Sequence, residues 1–209
     1  MTAAVEPSIP SHVDPSTRTD SNVPPTIAER EVRYEHSRDL ARLLGGLNAS
    51  LLVSTYQAGK VAVIGSQQER LNLSFHNFDR PMGMAIDRQA NTMAVAARNK
   101  VWFLRNARDV ASKLEPAAGH GACFLTRRAQ VTGEIQAHEM AWAGGELWIV
   151  NTLFSCLCTL HPDYSFVPRW QPRFISALAA EDRCHLNGLA MLDGKPKYVT
   201  AMAESDSRS

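Results

Sequence analysis

Apolar positions along this chain recur with the period of strands. Leu51, Leu52 and Val53 lead to Tyr56, a turn-like Gln57-Ala58-Gly59-Lys60 follows, and Val61, Ala62, Val63 and Ile64 resume the apolar run. Two short runs rich in β-branched and aromatic residues around a Gly-containing turn predict a hairpin. The same grammar continues to residue 203, with only two places where a helix is expected. One is 37–44, with Ser37 as N-cap, Leu40, Leu43 and Leu44 as an apolar stripe, and Gly45-Gly46 as the stop. The other is a single turn around 176–180 in the loop 174–182.

Three segments align without gaps. Arg80-Pro81-Met82-Gly83-Met84-Ala85-Ile86-Asp87, Gln136-Ala137-His138-Glu139-Met140-Ala141-Trp142-Ala143 and His185-Leu186-Asn187-Gly188-Leu189-Ala190-Met191-Leu192 are each followed by a turn and a second apolar strand. Those second strands are expected at 92–97, 146–151 and 197–203, and third strands at 100–105 and 155–160. The common positions Met84, Met140 and Leu189 are 56 and 49 residues apart. Units of about 40–50 residues with several short strands are the signature of β-propeller blades. The predicted fold class is therefore all-β: a partial, truncated β-propeller of about three blades with a short helix. A closed ring needs at least about four blades. The chain is accordingly expected to be incomplete at its C-terminus, with poor solubility or oligomerisation when expressed alone. Residues 204–209 look like a tail appended to an interrupted unit.

Composition changes this picture little. Residues 1–30, rich in Pro, Ser, Thr and charge, read as a disordered leader before a domain spanning 31–209. With 44% apolar residues and 22 Lys+Arg against 21 Asp+Glu, the balance is that of a soluble protein without the basic excess of a nucleic-acid binder. Neither a secretory signal nor an apolar run of about 20 residues is present, so a cytoplasmic protein without membrane contact is expected. Four cysteines are too few for a disulfide scaffold. Cys156 and Cys158 share a strand face, and all four are read as buried or half-buried free thiols.

Candidate chemistry follows from the alignment. In a blade, first-strand side chains two apart line one face, so His138 and Asn187, with Arg80, Gln136 and His185 further out, would ring a channel mouth. Arg80, Gln136, His138 and His185 are the ligand-binding candidates. Asn187, Glu139 and His138 are the metal candidates, Glu139 depending on a twist or bulge to bring its carboxylate round. Three uses of such a ring stand open: mixed N/O metal binding, acid–base chemistry by a histidine titrating near neutrality, or a structural network with ordered water. There is no G-x-S-x-G elbow, P-loop, zincin helix or Rossmann fingerprint. Trp142 and Trp148 lie inside apolar strands and suit packing. The segment 164–174, with two prolines and two arginines between aromatics, cannot be a central strand and reads as a lid or partner-facing connection.

The phrases LLVSTYQAG (51–59), FDRPMGM (78–84), HEMAW (138–142), LWIVNTLFSCLCTL (147–160) and DRCHLNGLA (182–190), with 164–174, closely resemble a bacterial family of conserved hypothetical proteins classed as a domain of unknown function. The resemblance covers about 34–203 and implies a propeller-like fold that continues beyond this chain, with no established reaction. A looser resemblance, carried by Asn187-Gly188-Leu189, is to six-bladed gluconolactonase-type propellers. It implies a divalent cation such as calcium held by Asn187, with Glu139 and His138 beside it. The expected function is binding of a small ligand or partner protein at the channel mouth without catalysis. The rival is a metal-dependent hydrolase of the lactonase or phosphotriesterase kind, and a pure assembly scaffold is a third possibility.

Overall fold

The computed structural model describes residues 32–114 and 119–207. The expected leader lies outside them. The chain divides into two units, Met1–His36 and Ser37–Ser209. In the first, the described residues 32–36 are exposed and without regular structure.

The second unit is built of antiparallel strands with very little helix. Helix α1 (Leu40–Gly46) begins later than the sequence suggests. Its N-cap is Asp39, and the Ser37 carbonyl accepts the Leu40 amide at 3.2 Å. Strands β1 (Leu51–Thr55), β2 (Lys60–Gln67) and β3 (Arg70–Asn77) form one sheet. The second contains β4 (Met84–Asp87), β5 (Thr92–Ala97), β6 (Lys100–Asn106) and β7 (Phe124–Val131), with the short helix α2 (Arg108–Ala111) between its last two strands. The third contains β8 (Ala137–Ala143), β9 (Glu146–Asn151), β10 (Cys156–Thr159) and β11 (Val167–Trp170). The fourth pairs β12 (Leu186–Leu192) with β13 (Lys195–Ala201).

Turn chemistry explains the meander. Ala143 faces Glu146 and Leu192 faces Lys195 across two-residue loops whose Gly144-Gly145 and Asp193-Gly194 all have positive φ. That is the requirement of the tight hairpin turn whose twist matches the strands. Between β4 and β5 the loop is longer. There Asp87 Oδ1 accepts the amides of Gln89 and Ala90 at 2.9 and 3.0 Å, and Asn91 supplies a positive φ.

Side-chain alternation then packs successive sheets face against face. On β5, Ala94 and Ala96 join a core with Val101, Phe103, Met140 and Ile149, while Met93 and Val95 join another with Val61 and Leu104. On β9 and β10, Ile149, Cys156 and Cys158 face the first of these cores, and Val150 and Leu157 face a third with Ile175, Cys184 and Leu186. The two middle sheets are thus buried on both faces, which is why β5, β9 and β10 read as nearly unbroken apolar runs. One contact between sheets is backbone on backbone: the Gly83 amide donates to Ala137 carbonyl oxygen at 2.9 Å.

The propeller expectation is corrected by this architecture. The four sheets are open, contain three, four, four and two strands, and none is closed or curled into a blade. A partial β-propeller of about three blades around a channel therefore does not describe the chain. What the three aligned segments share is local: Arg80, Gln136 and His185 each have a φ of 46–49° just before the first strand. Such similarity of sequence sets how a strand begins, and it does not oblige the sheets to close. The turn of helix around 176–180 does not form either. That loop is tied instead to residues beyond β13: Asp206 Oδ1 accepts the Ser176 amide at 3.0 Å and Arg183 Nη1 at 2.9 Å. These partners hold the Asp206 carboxyl down at about 2.

Candidate functional site

The start of β8 and the loop into β12 bring titratable groups together. Asp182 and His185 flank Arg183 and Cys184, and both have positive φ, at 47° and 46°. Asp and His tolerate this left-handed geometry better than most residues. Between them Cys184 is buried, and its carbonyl accepts the Met202 amide at 3.0 Å. Leu186, fully buried, offers its carbonyl to the Thr152 hydroxyl. The loop is therefore pinned on both sides of His185.

On this frame His185 Nδ1 donates to Asp182 Oδ2 at 2.7 Å. The Asp182 side chain is 18% exposed and that of His185 32%. The other carboxylate oxygen, Asp182 Oδ1, is buried with no hydrogen-bond partner among the described residues. His138, from β8, meets the His185 ring edge to face with centroids 4.9 Å apart. Burial pushes the His138 pKa down, and the neighbouring His185 adds to the effect. Asp182 and a hydrogen bond with Asn187 pull more weakly the other way.

An ionised Asp182 carboxylate accepts from Nδ1 of His185, and in the neutral ring this leaves the lone pair on Nε2. A carboxylate that fixes the tautomer of a half-exposed imidazole makes that nitrogen a positioned base. Burial and the adjacent His185 favour the neutral form of His138 beside it. The cluster can thus accept a proton at one ring and hold a polar group through the other ring and the Asn187 amide.

The remaining sequence candidates lie elsewhere or turn away. Arg80 and Gln136 line a small cleft with Tyr56, Met82, Arg98 and Glu134. The Arg80 guanidinium sits 5.7 Å from the Tyr56 ring centroid. Glu139 has the opposite strand parity, and its Oε1 accepts the amide of Met140 at 3.0 Å. Among the described residues, no group of three or more His, Cys, Asp or Glu side chains is arranged to hold a metal ion. His138, Glu139 and Asn187 offer one carboxylate, one amide oxygen and one imidazole nitrogen. Calcium takes about six to eight oxygens, so these three do not by themselves make its site.

The expected functions are corrected accordingly. Among the described residues the four open sheets enclose no channel whose mouth a ligand or partner could occupy, and there is no metal cluster for a hydrolase of the lactonase or phosphotriesterase kind. Asp182, which organises the cluster, escaped the sequence reading. Its signal was the spacing Asp182-x-x-His185, with a buried cysteine between.

No helix among the described residues is long and apolar enough to cross a membrane. No curated protein matches the chain. Residues 38–209 match the family model described as Domain of unknown function (DUF4915). The likeness to lactonase propellers, which rested on an Asn-Gly-Leu turn and an expected ring, is not supported by four open sheets. The chain belongs to the DUF4915 family.

Proposed function

We propose that this protein performs proton transfer on a small polar substrate, with His185 as general base. Asp182 positions that base, and His138 and Asn187 hold the substrate. The observation that carries the reading is the 2.7 Å Asp182–His185 hydrogen bond on a half-exposed imidazole. A base must be fixed in direction and open to its substrate, and the hydrogen bond to Asp182 on a partly exposed ring supports both. In the mechanism, Nε2 of His185 takes a proton from a water or substrate hydroxyl. The imidazolium so formed is stabilised by the Asp182 carboxylate, and neutral His138 donates or accepts one hydrogen bond to the substrate. Arg80 and Gln136, in their own cleft, are assigned to ligand binding rather than to the proton-transfer step. The four free cysteines suit action in a reducing, cytoplasmic compartment.

Hydrolysis of ethyl dichloroacetate, which imidazole promotes by removing a proton from the attacking water, tests this reading. The protein is expected to exceed an equal concentration of free imidazole at the same pH. His185→Ala is expected to remove the excess, and Asp182→Asn to lower it by about 10²–10⁴-fold. A rate no greater than that of imidazole, or one unchanged in His185→Ala, sinks the proposal.

A further inference from the structure

A cleft of about 260 Å³, open to solvent, lies between the turn after β1, the segment before β4, the end of β5 and the segment before β8. Three polar side chains in its lining, Tyr56, Arg80 and Gln136, have no hydrogen-bond or ion-pair partner among the described residues. The Arg80 guanidinium lies over the Tyr56 ring, 5.7 Å from its centroid, a contact that leaves its positive charge uncancelled. Arg98 and Glu134, also in the lining, face each other at 3.8 Å, so their charges offset and the cleft carries that of Arg80.

The backbone beneath two of these donors is held in place. Arg80 and Gln136 both have a φ of 49°, uncommon for residues other than glycine. Such a conformation persists only where its surroundings enforce it, and it recurs at ligand clamps. Around Arg80 the Asp79 carbonyl accepts the Arg98 amide at 2.8 Å, Pro81 is buried, and the Met82 amide donates to the Ala96 carbonyl at 3.1 Å. Around Gln136 the Ile135 carbonyl accepts the Leu153 amide at 3.2 Å, and the Ala137 carbonyl accepts the Gly83 amide at 2.9 Å. The donors are thus set before any ligand arrives, which lowers the ordering cost of binding.

We infer that this cleft binds the carboxylate of a small aliphatic monoacid, with Arg80, Tyr56 and Gln136 as its donors. A guanidinium offers paired N–H groups that match the two oxygens of a planar carboxylate. The Tyr56 hydroxyl and the Gln136 carboxamide add neutral donors. One uncancelled positive charge beside neutral donors suits a single negative charge better than the double charge of phosphate. Met82, Ala96 and Ala137 give the cleft apolar surface for a short hydrocarbon chain. The inference rests on the assignment of Arg80 and Gln136 to ligand binding and not on His185 acting as a base.

The probe is sodium butyrate, titrated into the full chain at neutral pH and followed through the side-chain ¹H–¹⁵N signals of Gln136. Saturable shifts with a millimolar Kd are expected, whereas butyramide, of the same shape without the charge, leaves them in place. Arg80→Ala is expected to weaken butyrate binding at least about tenfold. Tyr56→Phe, which removes one oxygen and keeps the ring, is expected to weaken it about three- to tenfold, and it serves where Arg80→Ala fails to fold. Shifts that do not saturate by about 100 mM butyrate overturn the proposal. So does equal binding of butyramide, which would show apolar contact alone, or tighter binding of inorganic phosphate. An unchanged Kd in Tyr56→Phe and in folded Arg80→Ala would place the anion elsewhere and overturn it as well. Because binding is read and not hydrolysis, failure here leaves the His185 reading standing, and failure of that reading leaves this one.

Discussion

At His138 opposing influences leave a net downward shift: burial and the adjacent His185 disfavour the charged ring more than Asp182 and Asn187 favour it. The folded chain therefore binds this proton less readily than the unfolded chain, whose histidine titrates near 6.5. Stability from this residue is complete above that value and is lost as pH falls through the lowered folded pKa. Replacing His138 by Asn is expected to flatten the decline of urea-unfolding free energy below about pH 6.5. An undiminished slope would show that another group carries it. His138, His185 and Asn187 were legible as strand-start residues in aligned positions. Their union with Asp182 was not, because a left-handed backbone at 182 and 185 folds the loop back on itself, and no periodicity encodes that turn.

Among the elements, the strands buried on two faces were the easiest to read. β5 and β9 appear with the boundaries expected from their apolar runs. Strands β3, β7 and β11 were not anticipated as strands. β3, β7 and β11 are edges of their sheets, and Arg127 and Arg128 are exposed on β7. An edge strand buries little, so its sequence carries polar residues and, in β11, Pro168. The expectation that 164–174 avoids a central strand fits β11, which pairs with β10 alone. Where β4 meets β8, a methyl group on Gly83 would lie 2.9 Å from the Ala137 carbonyl oxygen and 3.1 Å from the Glu139 carbonyl carbon. Both obstacles are backbone and cannot rotate aside. Gly83→Ala is therefore expected to cost about 1–3 kcal/mol in denaturant unfolding. A neutral result would mean that the two sheets separate freely at this point.

At the scale of the molecule, the stack of sheets decides what solvent reaches. Cys156, Cys158 and Cys184 are buried, and Cys123 is half-buried. The Cys158 thiol is pushed up, first by its hydrogen bond with the Cys156 side chain and then by burial. A thiol reagent applied to the native protein is expected to label Cys123 first, the others reacting only after denaturant is added. Early labelling of Cys156 or Cys158 would show that the middle sheets open. Sequence similarity among three strand starts suggested a ring because local phrases resemble one another. Closure depends on how sheets of unequal strand number pack, which no phrase contains. The same packing creates the candidate site, since β8 supplies His138 while the loop before β12 supplies Asp182 and His185. The most direct measurement is the tautomer of His185, read from its imidazole ¹⁵N shifts at neutral pH in the intact chain. A proton on Nδ1 and a bare Nε2 are expected, with the Nδ1 signal displaced in Asp182→Asn. A proton on Nε2 with Nδ1 bare, or shifts indifferent to Asp182→Asn, would contradict that assignment.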